Sequence, residues 1–230
     1  MAAALTVAIL AGGRSRRMGC DKALLPVGGV PMLQRVIDAA QSLSDQRILV
    51  SNHSERHASF GWPLLADAFP DAGPLGGLAT ALRHATTSHL LLLACDMPFL
   101  TPGLLHHLIE QAGSHQAVVP DSDDGLQPLC AVYTCSIAPL VEASIAAGQL
   151  GVRKFVAQLD THIIPPCEWQ LFAGETSGQG IDCNLGGESR QKYSAGRCCF
   201  RVGISQPAVQ EREGTLDAES QEDKPGTQAG

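Results

Sequence analysis

Two runs of this chain, Leu5-Thr6-Val7-Ala8-Ile9-Leu10 and His89-Leu90-Leu91-Leu92-Leu93-Ala94, lack the polar alternation of a strand with one face in water. Strands of that kind are buried on both faces, and a parallel sheet sandwiched between helices is the arrangement that buries them. The chain around them fits. Apolar residues recur every three to four positions over 31–40, 74–85, 102–112, 137–147 and 152–159, which predicts helices there. Shorter β-type runs over 47–51, 117–119, 129–133 and 162–164 predict further strands. Strand and helix alternate, so the expected fold is α/β, a three-layer, mostly parallel, Rossmann-like sheet with right-handed crossovers. Ligands of such sheets sit at the carboxyl ends of the strands.

Composition bounds the rest. Residues 202–230 contain no aromatic side chain and a single Leu and Ile, too little apolar surface to offset chain entropy. The expected organisation is a domain over 1–172 and a divergent, largely disordered extension over 173–230. A net charge of −7 argues against a nucleic-acid partner. The apolar runs are too short to span a bilayer, and no basic residue precedes the apolar 2–11 segment as in a signal peptide. A cytoplasmic protein with no membrane partner is expected. Eight cysteines without a C-x-x-C pair read as reduced, mostly buried thiols rather than a zinc site. The histidines, His106-His107 included, show no ligand spacing and read as surface residues.

Three strand ends carry the chemistry. After the first strand comes Leu10-Ala11-Gly12-Gly13-Arg14-Ser15-Arg16-Arg17-Met18-Gly19-Cys20-Asp21-Lys22. The glycines let the backbone approach a bulky anion, and four cations within nine residues stand out in an acidic chain. This is a candidate polyphosphate loop. It is neither of two familiar ones: Gly19 is followed by Cys20 rather than Lys-Ser/Thr, and G-x-G-x-x-G is absent. After the second strand, Asn52 is either a turn residue capping the segment from Ser54 or a ligand contact. Asp67 follows Leu64-Leu65-Ala66, ahead of Gly73-Pro74-Leu75-Gly76-Gly77. Asp96, in Ala94-Cys95-Asp96-Met97-Pro98, brings a carboxylate to the end of an apolar strand, where Mg²⁺ beside a triphosphate needs a hard oxygen. Thr101 is the better cap for the helix opening at Pro102, so capping is a poor account of Asp96.

The loop A-G-G-x-x-x-R-M-G-x-D-K, with G-P-L-x-G, C-D-x-P and Gln127-Pro128-Leu129, resembles the nucleotidyltransferases of GlmU- or MobA-like fold. It looks most like the molybdenum cofactor guanylyltransferases. That resemblance implies transfer of GMP from GTP to the molybdopterin cofactor, with Mg²⁺ as the metal and release of pyrophosphate. It implies Arg17, Lys22 and Asp96 as catalytic residues and Asp96 as metal ligand. Leu10, Ala11, Gly12, Gly13, Lys22, Asn52, Asp67 and Asp96 would contact the nucleotide, and Gly151-Val152-Arg153-Lys154-Phe155 would face the pterin phosphate. Molybdoenzymes or their chaperones are further partners it implies. The likeness covers roughly residues 4–172, and the family's later F-x-N-x-N-T-P-E-D segment has no convincing counterpart. Three alternatives therefore stand beside it: a cytidylyl- or sugar-phosphate nucleotidyltransferase, a catalytically impaired GTP-binding protein, and a dinucleotide-binding oxidoreductase, the last disfavoured by its missing glycine fingerprint.

Overall fold

The structure, a computed structural model of the 230-residue chain, describes residues 4–12, 21–122 and 124–172. Gly13, Arg17 and the 173–230 segment lie outside the described residues. In chain order the strands are β1 (Leu5–Leu10), β2 (Pro26–Val27), β3 (Val30–Pro31), β4 (Gln46–Val50), β5 (Leu64–Leu65), β6 (His89–Ala94), β7 (Ala117–Pro120), β8 (Cys130–Thr134) and β9 (Thr161–Ile164). The helices are α1 (Met32–Ala40), α2 (Ser54–His57), α3 (Gly73–His84), α4 (Pro102–Glu110), α5 (Ala138–Ala146), α6 (Val152–Val156) and α7 (Pro166–Trp169).

The sheet runs β5-β4-β1-β6-β8-β7-β9. It is mostly parallel, as the apolar strands require; β8 alone among the described strands of this sheet runs against its neighbours, pairing antiparallel with β6 and β7. From β1 the chain moves outward through β4 to β5, then returns to place β6 on the other side of β1. The crevice at the carboxyl ends of β1 and β6 is therefore the point where strand order reverses, the usual ligand position in an open α/β sheet.

Residue alternation assigns the layers. On β1, Leu5, Val7 and Ile9 face one way and pack with Leu33, Val36 and Ile37 of α1 and Leu104, Leu105 and Leu108 of α4. Ala8 and Leu10 face the other way, with Leu75, Leu78 and Leu82 of α3, Val141 of α5 and Phe155 of α6. Leu90 to Leu93 divide between these two cores in the same alternation, all four fully buried. At about 1.5–3 kcal/mol per buried leucine side chain, that one strand anchors both helical layers.

Two local features depart from the expected pattern. A Gly28-Gly29 hairpin joins β2 and β3, held by Arg35 Nε donating to the Val27 carbonyl at 2.7 Å. Helix α6 ends at Val156 instead of continuing to 159, because Gln158 and Leu159 turn back to Phe155 and Val156, and the Thr161 hydroxyl donates to the Val156 carbonyl at 3.0 Å.

Candidate active site

The register of the parallel strands lines up a row of residues. Leu10 pairs with Val50 on one side and Ala94 on the other, and Val50 pairs with Leu65. Two positions beyond each of these ends lie, in order across the sheet edge, Asp67, Asn52, Gly12 and Asp96. With strands about 4.8 Å apart, three intervals set the row at about 14 Å, comparable to the reach of an extended nucleoside triphosphate. The edge is stitched as well as aligned. The Ala11 amide donates to the Val50 carbonyl (2.9 Å), Ser51 to Leu65 (2.8 Å) and Cys95 to Leu10 (3.1 Å).

At the β4–β5 end, the Asn52 Oδ1 accepts from the Asp67 amide at 3.0 Å, and the Asn52 residue is exposed. Asn52 thus ties its own strand end to the neighbouring one. Asp67 Oδ1 accepts from the Phe69 amide and lies 2.9 Å from the Thr80 hydroxyl, which in turn accepts from the Ala68 amide at 3.0 Å. These bonds lock the turn that leads into α3. Gly73 there has φ +59°, a left-handed conformation that disfavours a side chain. Gly76 has the tighter constraint: a Cβ on it would lie 2.3 Å from the Phe69 carbonyl oxygen. Small residues let the first turn of α3 close over the strand ends.

Lys22 opens a single 3₁₀ turn, Lys22–Leu24, capped by Asp21, whose Oδ1 accepts from the Ala23 amide at 3.1 Å. Asp21 has a second partner. Its Oδ2 stands 3.0 Å from His57 Nε2, and His57 Nδ1 stands 2.7 Å from the Ser51 hydroxyl. The Ser51 oxygen accepts from the His53 amide at 2.9 Å. His57 is fully buried, which corrects the surface reading of the histidines: with both ring nitrogens bonded, burial leaves no polar atom unsatisfied. His107 departs from that reading too, since its ring stacks on Phe172 at 4.6 Å and is largely covered, with Nε2 3.7 Å from a Glu168 carboxylate oxygen.

Asp96 is half-buried, and its neighbour Cys95 reports the local field. Burial first, then the Asp96 and Asp21 carboxylates, push the Cys95 thiol up to about 12, while a backbone hydrogen bond and Lys22 pull the other way. Two acids and one base thus converge on this point. Among the described residues no three His, Cys, Asp or Glu side chains gather into a ready-made cation cage. One carboxylate at a strand end still suits Mg²⁺, which keeps several waters and takes one or two protein carboxylates alongside substrate phosphates.

The structure brings Leu10, Ala11, Gly12, Lys22, Asn52, Asp67 and Asp96 to one edge of the sheet; Gly13 and Arg17 fall outside the described residues. Thr101 accepts from the Leu104 amide, the cap expected of it. The Gln127 amide donates to the Ser122 hydroxyl (2.7 Å) and the Gly125 carbonyl (2.8 Å), closing the loop beyond β7. Arg153 donates to the Asp124 carbonyl in that loop at 2.9 Å and is otherwise exposed, as is Lys154. Of the cysteines described, Cys130 is buried, Cys95 and Cys135 are partly covered, and Cys167 is exposed. The Asp21–His57–Ser51 chain was not legible in the sequence, because 36 residues separate Asp21 from His57 and nothing in the local pattern marks the pair.

Comparison with known proteins agrees with this geometry. Residues 7–163 match the MobA-like NTP transferase domain. A probable molybdenum cofactor guanylyltransferase of Carboxydothermus hydrogenoformans is 36% identical over 160 residues, covering 70% of this chain and 81% of the relative. The molybdenum cofactor guanylyltransferase of Serratia proteamaculans is 33% identical over 159 residues, covering 68% and 79%. Among solved structures, the molybdopterin-guanine dinucleotide biosynthesis protein A of Archaeoglobus fulgidus superposes with a TM-score of 0.63 at 26% identity, covering 74% of this chain and 88% of that one.

Proposed function

Because the chain belongs to the MobA-like NTP transferase family and is a nucleotidyltransferase, we propose that it transfers GMP from GTP to the terminal phosphate of the molybdopterin cofactor. The single observation that supports this most is the row Asp67, Asn52, Gly12, Asp96 across the carboxyl ends of four parallel strands. The choice of substrates draws on relatives that are molybdenum cofactor guanylyltransferases by name.

On this reading the guanosine lies toward Asn52 and Asp67. The triphosphate follows the Leu10-Ala11-Gly12-Gly13 backbone, with Arg17 and Lys22 neutralising it. Asp96 would hold Mg²⁺, which when bound would supply charge neutralisation to the triphosphate. An oxygen of the acceptor phosphate attacks the α-phosphorus in line. The new P–O bond forms as the bond to the β-phosphate oxygen breaks, and pyrophosphate leaves with its charge against Lys22 and Arg17. No protein nucleophile is required; the chain contributes orientation and charge, which are the main sources of rate in phosphoryl transfer.

Pyrophosphate release measured with GTP, CTP and UTP, each with molybdopterin and Mg²⁺, tests the assignment. GTP is expected to be preferred by about a hundredfold or more, the discrimination available to a site built to hydrogen-bond one base. Preference for CTP or UTP would assign a different nucleotidyltransferase reaction. GTP binding without pyrophosphate release would leave a nucleotide-binding protein in its place.

A further inference from the structure

We propose that His57 is a positioning residue for the nucleotide site, clamping the two backbone segments that present Lys22 and Asn52. The proposal rests on the nucleotide-site reading above and goes beyond it, since His57 lies on α2 and belongs to no strand end. Its two ring nitrogens bond Asp21, which immediately precedes Lys22, and Ser51, which immediately precedes Asn52.

With a neutral imidazole the hydrogen-bond directions close in one sense. The carboxylate of Asp21 accepts only, so Nε2 donates to it. Nδ1 is then the acceptor and takes the Ser51 hydroxyl proton. The Ser51 oxygen in turn accepts from the His53 amide. The other Asp21 oxygen accepts from the Ala23 amide and so fixes the turn that carries Lys22. Every donor has an acceptor along the chain from His53 to Ala23, and the ring is fully buried. A fully satisfied buried network of this kind specifies one geometry, and its loss lets the attached segments move. The arrangement resembles a nucleophilic triad only in composition. Ser51 is buried and its hydroxyl is spent on the ring, so it has no access to a substrate.

Two substitutions separate the halves of the clamp. An Asn amide reaches the position of Nδ1 and a Gln amide the position of Nε2, so His57→Asn retains the Ser51 side and His57→Gln the Asp21 side. The two variants and the parent chain are titrated with GTP and Mg²⁺ by calorimetry. Loss of a hydrogen bond to a charged group predicts about tenfold weaker GTP binding for H57N, and less than about threefold for H57Q. A merely structural role would lower the unfolding midpoint of both and leave the affinity of the folded fraction unchanged. That result, or equal loss in both, overturns the proposal.

Asp21→Ser provides a second route if H57N folds poorly, because Ser still caps the 3₁₀ turn but is too short to reach His57. It is expected to weaken GTP binding about as much as H57N, again about tenfold. Amide hydrogen exchange at Ala23 in nucleotide-free protein reads the clamp without GTP. Faster exchange in H57N than in H57Q supports it, and unchanged protection in both overturns it. Should the parent chain bind no nucleoside triphosphate, the proposed function fails, and the exchange result still decides the clamp.

Discussion

The Cys95 amide donates to the Leu10 carbonyl at 3.1 Å, so the residue before Asp96 is fastened to the residue that opens the glycine loop. The backbone that delivers Asp96 is therefore fastened to the strand end that leads into Gly12, the kind of pre-organisation that electrostatic catalysis requires. Asp96→Ala removes the charge without touching that bond. Pyrophosphate release is expected to fall by at least about a hundredfold, with the circular dichroism spectrum and unfolding midpoint retained. Full activity in this variant would remove Asp96 from the mechanism.

Lys22 sits on a turn capped by Asp21, so its backbone is held in one place. Replacing both Lys22 and Arg17 by Ala is expected to raise the KM for GTP and lower kcat together. The combined loss in kcat/KM should be at least about a hundredfold, from two charge-assisted contacts. Unchanged steady-state kinetics would count against the loop as the phosphate site.

Gly76 and Gly77 are adjacent on α3 and should respond differently to Ala. In a helix Ala is favoured over Gly by about 1 kcal/mol. At Gly76 that gain is outweighed, because the new Cβ meets the Phe69 carbonyl oxygen at 2.3 Å and backbone cannot yield cheaply. G76A should destabilise by about 1–3 kcal/mol in a urea titration. At Gly77 the contact is the Leu10 side chain at 2.9 Å, which can rotate, so G77A should stay within about 1 kcal/mol of the parent. Equal effects would mean that the Phe69 turn is not rigid.

Cys95 is kept protonated by burial and by the acids beside it, with its thiol pushed up to about 12. Only the thiolate alkylates readily, and from neutral pH to about 9 almost none is present. Brief iodoacetamide treatment at pH 8, followed by peptide mass mapping, should label the exposed Cys167 and leave Cys95 unmodified. Labelling of Cys95 at a comparable rate would show that the crevice admits solvent and reagent more freely than its packing allows.

The elements that bury a long apolar face were legible in the sequence. β6 occupies His89–Ala94 as read, and α1, α3, α4 and α5 match within a few residues, because apolar residues turned toward the sheet leave a periodic trace. β5 was missed since its two residues, Leu64 and Leu65, are too short for any period. The β2–β3 hairpin was missed because two prolines and two glycines obscure strand propensity over six residues. The antiparallel sense of β8 left no mark, as a central strand is apolar on both faces in either direction. At the site, Gly12, Asn52 and Asp96 could be singled out because each closely follows a β-type run, and Asp67 through the family resemblance. His57 could not, since its role comes from two partners brought to it only by the folded sheet.

The row of four residues depends on a pairing between distant parts of the chain, Leu10 with Ala94. Sheets of this kind close slowly, because the loop entropy is lost before the long-range contacts form. During synthesis the glycine loop emerges early, yet it has no Asp96 opposite it until β6 has been made and has inserted beside β1. A nascent chain shorter than about ninety residues therefore carries the most recognisable motif of the family without the Asp96 end of the row. The row is completed only by the return of the chain to the middle of its own sheet.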